Sequence, residues 1–325
     1  MSYETSSNPI LVTGATGRHG GTSAHVVAAL LEAGRPVRVF ARSESVRTRS
    51  LASLGAEIVF GDFNDRKSLV RALDGVDTAT FTYPVAPGIV PAAATFASAA
   101  REHKVPLRTI VMSMAVAHPE SPSHLGRAQW LAEEVLAWSG LNLCVLRIAA
   151  LFFENIASLH AASIEQKSAF SNCFGNAEIP WISGLDAARL MVSAVLHPDF
   201  FAGRSIHYPP GAQLLSHAKL ADILASELGR PIRFDPVSQE QWATELADTA
   251  RREPDGVISV DMAKHISAVG AALAGTGKGP ITAPDSAELQ RLTGASPVLF
   301  AEFVRQNRHL FDQRDAHAPS KPRAS

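Results

Sequence analysis

Three glycines carry the first chemical signal, in the run Thr13-Gly14-Ala15-Thr16-Gly17-Arg18-His19-Gly20. The run follows a short apolar segment, Pro9–Thr13, and leads into a helical one, Gly21–Ala33. Glycine at 14, 17 and 20 lets the chain turn sharply, admits a pyrophosphate against bare backbone, and lets strand and helix pack closely. The mouth of the helix adds backbone N–H groups and the positive end of its dipole. The spacing is G-x-x-G-x-x-G, not the G-x-G-x-x-G of the dehydrogenase fingerprint. Its weight comes from its place between a first strand and a first helix, against the alternative of a purely structural turn.

The end of the second strand chooses between nicotinamide cofactors. NAD-preferring sites put a carboxylate there to hold the ribose 2′-hydroxyl. This chain reads Phe40-Ala41-Arg42-Ser43, with Arg47 close behind. A guanidinium grips a 2′-phosphate through paired hydrogen bonds, so NADP(H) is expected in preference to NAD(H). Asp62 and Phe63 close the third strand, where they can flank an adenine or form a simple Asp turn. Phe81, Thr82 and Tyr83 end the fourth strand, on the side where ligands bind in parallel sheets.

The elements needed to hold these residues alternate through the first 150 positions. Strand-like runs at 9–13, 36–41, 56–60, 78–82, 107–113 and 141–148 are separated by helical ones at 21–33, 45–54, 65–75, 92–103 and 126–138. The strands are apolar on both faces, which marks a parallel sheet covered by helices on each side. Right-handed crossovers then give an α/β fold, a doubly wound Rossmann sheet. After about Leu151 the rhythm breaks into helices at 185–196, 215–228 and 239–252 with short strand candidates at 179–182, 205–208 and 232–235. The expected organisation is a flexible start (1–8), a cofactor domain (9–150), a smaller irregular α+β cap lobe (151–311) packed on the same core, and a flexible tail (312–325). Residues 270–284 read as a glycine-rich loop.

Composition narrows the partners. Thirty basic against 31 acidic residues give a net charge of −1, which supplies no general attraction to nucleic acid or to an anionic membrane. Two cysteines, Cys144 and Cys173, make no disulfide framework and no metal spacing. No secretory leader or bilayer-spanning run is read, so a cytoplasmic protein acting on a small organic molecule, as a monomer or homodimer, is expected.

The chain resembles the NmrA-like branch of the atypical short-chain dehydrogenases. The resemblance rests on TGATGRHG (13–20), GAEIVFGDFND (55–65), LDGVD (73–77), SGLNLCVLRIAALFFEN (139–155) and LTGASPVLFAEF (292–303). It implies that Gly14, Ala15, Thr16, Gly17, Arg18, His19 and Gly20 hold the pyrophosphate and that Arg42 and Arg47 hold the 2′-phosphate. Asp62 and Phe63 would border the adenine, Phe81, Thr82 and Tyr83 would line the path to the nicotinamide, and Phe152, Phe153, Glu154 and Asn155 would close over it. The branch includes quinone, azo-dye and triphenylmethane reductases, and regulators that sense NADP(H) without catalysis.

One departure bears on mechanism. Where reductases of this branch often carry a lysine or histidine, eleven residues before the glycine that ends the fifth helix, this chain has Gln129 before Gly140. There is no Tyr-x-x-x-Lys pair either. Glutamine exchanges hydrogen bonds but is no general acid near neutral pH. Catalysis would then rest on hydride placement, which suits quinones, azo compounds or cationic dyes; a sensor without turnover fits the same residues. Tyr83, Gln129, Trp130 and Phe153 are the candidate substrate contacts, with Phe152 and Trp181 as further aromatic wall candidates. His118 and His124 flank a loop near the expected crevice. No metal-ligand spacing is present among the twelve histidines.

Overall fold

The computed structural model describes residues 8–17, 21–103, 107–253, 256–276 and 283–312. Its first half alternates strand and helix: β1 (Ile10–Thr13), α1 (Thr22–Glu32), β2 (Val37–Ala41), α2 (Val46–Ser53), β3 (Glu57–Phe60) and α3 (Arg66–Leu73). Then come β4 (Thr78–Phe81), α4 (Ile89–Ala100), β5 (Arg108–Met114), α5 (His124–Trp138) and β6 (Asn142–Ile148). Local chemistry sets the helix starts. The Ser45 hydroxyl and Thr48 form a reciprocal capping box on α2, Asp65 accepts the Lys67 N–H on α3, and Ser123 accepts from Leu125 and Gly126 on α5.

The second half adds β7 (Leu151–Phe152), α6 (Glu154–Lys167), β8 (Ala169–Phe170), β9 (Ile179–Ile182), α7 (Gly184–Leu196) and β10 (Ile206–His207). It ends with β11 (Gln213–Leu215), α8 (His217–Leu228), β12 (Arg233–Phe234), α9 (Gln239–Arg252), α10 (Val260–Thr276), α11 (Ser286–Thr293), α12 (Phe300–Gln306) and α13 (Arg308–Phe311).

The main sheet has the order β10-β6-β5-β4-β1-β2-β3, and every pairing in it is parallel. This is the doubly wound arrangement read from the sequence, with the strand order reversing beside β1. Two apolar layers cover the sheet. Val26, Val27 and Leu30 of α1 pack with Leu190, Met191 and Ala194 of α7 on one face; Leu69, Leu73, Phe96 and Leu136 cover the other. Beyond residue 150 the chain thus returns to the sheet, giving it a strand, β10, and a covering helix, α7.

A separate core joins α6, α8, α9, α10 and α12 around Phe153, Phe170, Trp181, Leu220 and Phe300. The stretch 270–284 departs from the expected loop, because α10 continues through Thr276 before residues 277–282, which lie outside the described set. Gly270 sits inside that helix for a packing reason: a Cβ there would stand 2.9 Å from Cys173 Sγ. The segments expected to be flexible, 1–8 and 312–325, fall almost wholly outside the described residues.

Candidate active site

The crevice opens where β1 and β4 end. Gly14 has φ +74°, and a Cβ on it would lie 2.7 Å from the Thr82 carbonyl oxygen. Thr13 fixes this crossing: its hydroxyl donates to the Thr80 and Thr82 carbonyls and accepts the Thr82 N–H at 2.9 Å. Gly17 N–H closes onto Gly14 O at 3.0 Å, making a tight turn of bare backbone. At the next step Gly21, φ +61°, begins α1 with no side chain to cap it, so the helix mouth at Thr22 and Ser23 faces the crevice. Thr82 Oγ1 is buried here with no partner among the described residues. A side chain at 14 would fill this cradle, and an orphaned hydroxyl borders it; both fit a phosphate-bearing ligand.

Other expected cofactor residues gather at neighbouring strand ends. Ala15 is buried and Thr16 half-buried beside the turn, and Arg47 donates to the Thr16 carbonyl at 3.1 Å. Arg42 is exposed at the end of β2 and has no hydrogen bond or ion pair with the described residues. Asp62 accepts the Asn64 N–H at 2.7 Å, the Asp turn that the sequence left as an alternative to an adenine contact. Phe63 packs edge-on against Phe40, Phe81 and Tyr83. Burial pushes the Tyr83 phenol upward, Asp62 adds to the rise, and Arg42 opposes it. Arg18, His19 and Gly20 lie outside the described residues.

From this cradle a cavity of about 330 Å³ runs into the second half of the chain. Gly14, Gly17, Thr82, Tyr83, Gln129, Phe152 and Asn155 line it, so these expected residues do meet. Four others do not turn to it. Phe81 is buried between Phe63 and Phe96. Phe153 is fully buried, stacked on Trp181 at 6.3 Å and tilted against Phe300 and Phe303 of α12. The end of β7 explains this: Leu151 and Phe152 face the cavity, and the backbone turns helical at Phe153 (φ −56°, ψ −33°), which sends that ring into the core. Trp130 is half-buried on α5 and does not line the cavity that its neighbour Gln129 lines. Glu154 points at the start of α7, where both carboxylate oxygens stand 2.9 Å from the Gly184 N–H. Trp181 does line the cavity; His118 and His124 do not.

Glu154 gives a pH test. Burial lifts its carboxyl to about 7, against the lowering effect of the Gly184 N–H. Between the ordinary carboxylate range and that value the folded chain holds more protons than the unfolded one, so stability falls as pH rises through this window. Glu154→Gln removes that slope, gaining roughly 2–3 kcal/mol over the parent between pH 5 and pH 8. Urea midpoints at both pH values check this, and parallel curves for parent and variant refute it. Taking the difference cancels the opposite slope of the buried histidines.

The sequence reading did not find the residues behind Gln129. Ser113, at the end of β5, lines the cavity and donates its hydroxyl to Glu133. Arg147 of β6 donates to Glu133 twice, at 2.6 and 2.9 Å, and to the Tyr208 hydroxyl at 2.7 Å. Burial pushes the Glu133 carboxyl upward, and the bonds from Arg147 and Ser113 draw it back. His265 of α10 also lines the cavity, with Nδ1 against the Ser123 hydroxyl and burial pushing it down to about 4. No element was read over residues 253–269, so the helix that carries His265 went unseen. Among the described residues no group of His, Cys, Asp and Glu could hold a metal ion, and no helix is long and apolar enough to cross a membrane.

Comparison with known proteins agrees with this geometry. The NmrA-like family model matches residues 6–292. An NAD(P)H azoreductase of Xenophilus azovorans is 31% identical over 71% of this chain and 78% of its own. Among solved structures, an NADPH-dependent quinone oxidoreductase of Escherichia coli, in complex with NADPH, superposes with a TM-score of 0.75 at 21% identity, covering 91% of this chain and 99% of that one. A triphenylmethane reductase of Citrobacter sp., in complex with NADP(H), gives 0.72 at 22% identity, covering 91% and 99%.

Proposed function

The chain belongs to the NmrA-like family, and from that premise we propose that it is an NADPH-dependent reductase of a small, electron-poor organic acceptor. The observation that carries the reading is the single cavity joining the Gly14–Gly17 cradle to an apolar chamber. Gly14, Gly17 and the opening of α1 would hold the pyrophosphate, and Arg42 the 2′-phosphate. Its exposed guanidinium, unpaired among the described residues, is free to do so. The bound cofactor, when present, supplies the hydride.

The chain's own residues bind and orient. The cavity walls are largely hydrocarbon and exclude water around a flat acceptor. Gln129 is buried, lines the cavity, and offers an amide donor to a substrate oxygen. The Ser113 proton is committed to Glu133, so the Ser113 oxygen presents lone pairs, not a proton, to the chamber. Among the described residues no carboxyl or ammonium group lines the cavity, and burial raises the Tyr83 phenol, so reduced product draws its proton from solvent. This suits acceptors whose reduced forms are stabilised before protonation.

Mixing the protein with NADPH and a panel of quinones and azo compounds, followed at the nicotinamide absorbance, tests the reading. Oxidation that depends on the acceptor is expected. Saturable NADP(H) binding with no turnover across the panel would leave the sensor reading instead. Arg42→Ala should raise the Kd for NADPH by roughly 10- to 150-fold, the equivalent of about 1.5–3 kcal/mol, while NADH binding barely changes. Equal loss for both cofactors overturns the 2′-phosphate role.

A further inference from the structure

The inner end of the cavity is built by segments remote from the cofactor cradle, and it has unused polar groups. Asn172, just beyond β8, is fully buried and lines the cavity. Its Oδ1 accepts the Phe174 N–H at 3.1 Å. Reversing the amide would set two donors face to face, so its orientation is fixed and Nδ2 is the free end. That NH₂ has no partner among the described residues. Nearby, His217 at the start of α8 lies with its ring stacked on Phe174 at 4.8 Å and edge-on to Trp181 at 5.4 Å. Its Nδ1 is likewise buried without a partner among the described residues. Two such orphans in one chamber call for a ligand that satisfies them, since each alone costs the fold free energy.

The walls state what that ligand is not. None of the described residues lining the cavity is Asp, Glu, Lys or Arg. The three lining histidines are held neutral by burial: His160 is pushed down to about 4, His217 to about 3 and His265 to about 4. A charged acceptor would leave water for a chamber with no counter-charge, at heavy cost. Phe174, Trp181 and Trp242 instead offer ring surfaces suited to a flat π-system.

Building on the reductase reading, we propose that this inner end is the acceptor's anchoring subsite, selecting an uncharged planar aromatic carbonyl compound whose oxygen accepts from Asn172 Nδ2. Neutral quinone-like acceptors belong to this class; cationic triarylmethane dyes and sulfonated azo dyes do not.

The probes are 2-methyl-1,4-naphthoquinone and 1,4-naphthoquinone-2-sulfonate, the methyl group standing in for bulk. Binding is read from quenching of tryptophan emission, since Trp181 and Trp242 line the chamber. Wild-type protein is expected to bind the neutral quinone at least about tenfold more tightly than the sulfonate. Asn172→Leu should weaken the neutral quinone by about five- to tenfold. Asn172→Asp keeps an acceptor for the Phe174 N–H and, read at a pH where the carboxyl is ionised, replaces the free donor with a charged oxygen, so it should weaken this quinone at least as much. Equal affinity for the two probes, or unchanged affinity in folded variants, overturns the subsite. Calorimetry with NADPH on the same samples separates the two ideas: retained NADPH binding confines the failure to the subsite, whereas none at all overturns the reductase reading.

Discussion

Gly14→Val is expected to lower NADPH affinity by about 100-fold or more, the equivalent of roughly 3 kcal/mol. Two independent physical effects act at this position. Its φ of +74° is a conformation that a β-branched residue adopts only under strain of about 1–3 kcal/mol. Its Cβ would also stand 2.7 Å from the Thr82 carbonyl, a backbone atom held in place by Thr13. Neither strand end can yield without opening the β1–β4 crossing, so the turn must move and the cradle is lost. Gly34→Ala is the control. Gly34 has φ +72°, yet nothing lies within 4 Å of a Cβ built there. That variant should show the conformational cost alone, about 1 kcal/mol, with NADPH binding intact. Calorimetric titration of both proteins decides the matter. Similar affinity for Gly14→Val and the parent would remove the cradle from the cofactor site.

The cradle was legible because its signal is local. Glycines 14 and 17, the apolar run before them and the helix after them are contiguous, and each demands the same turn. Strand and helix order through Ile148 was readable for a similar reason: Val37–Ala41 or Thr109–Val111 is buried on both faces, and Ser45 and Asp65 announce the helices that follow. What stayed hidden depends on distance along the chain. Nothing in residues 205–208 says that they pair with β6, and Gly270 looks like a breaker until Cys173 is seen against it. Phe152 and Phe153 part because strand gives way to helix between them, and nothing in the run of residues 151–155 marks that point. Asn172 and His217 carry no sequence signal as a pair. Their significance lies in what they fail to bond, which only packing reveals.

The buried ion pair behind the cavity carries the largest expected effect on stability. Arg147→Met should destabilise the fold by about 3–5 kcal/mol. The side chains of Arg147 and Glu133 are 9% and 3% exposed, so both charges have left water. Arg147 repays that through two hydrogen bonds to one carboxylate oxygen and a third to Tyr208. Methionine fills much of the volume but leaves Glu133 with the Ser113 hydroxyl alone. The carboxyl then rises further above its ordinary range, because only the Ser113 bond still opposes the effect of burial. Sign follows from proton uptake: with the folded-state value raised, the folded variant binds more protons than the unfolded chain. The deficit must therefore shrink as pH falls and reach its full size above the shifted value. Glu133→Leu combined with Arg147→Met removes both charges, and its stability should return to near the parent value or above it. That double mutant separates the cost of an orphaned charge from the cost of lost volume. Urea unfolding at pH 5 and pH 8 reads both. A single-variant cost under about 1 kcal/mol, or a deficit that deepens in acid, would show that Glu133 does not depend on Arg147. A restored double mutant with weakened turnover would place the pair's value in fixing Ser113 against the acceptor, where the fold itself no longer needs it.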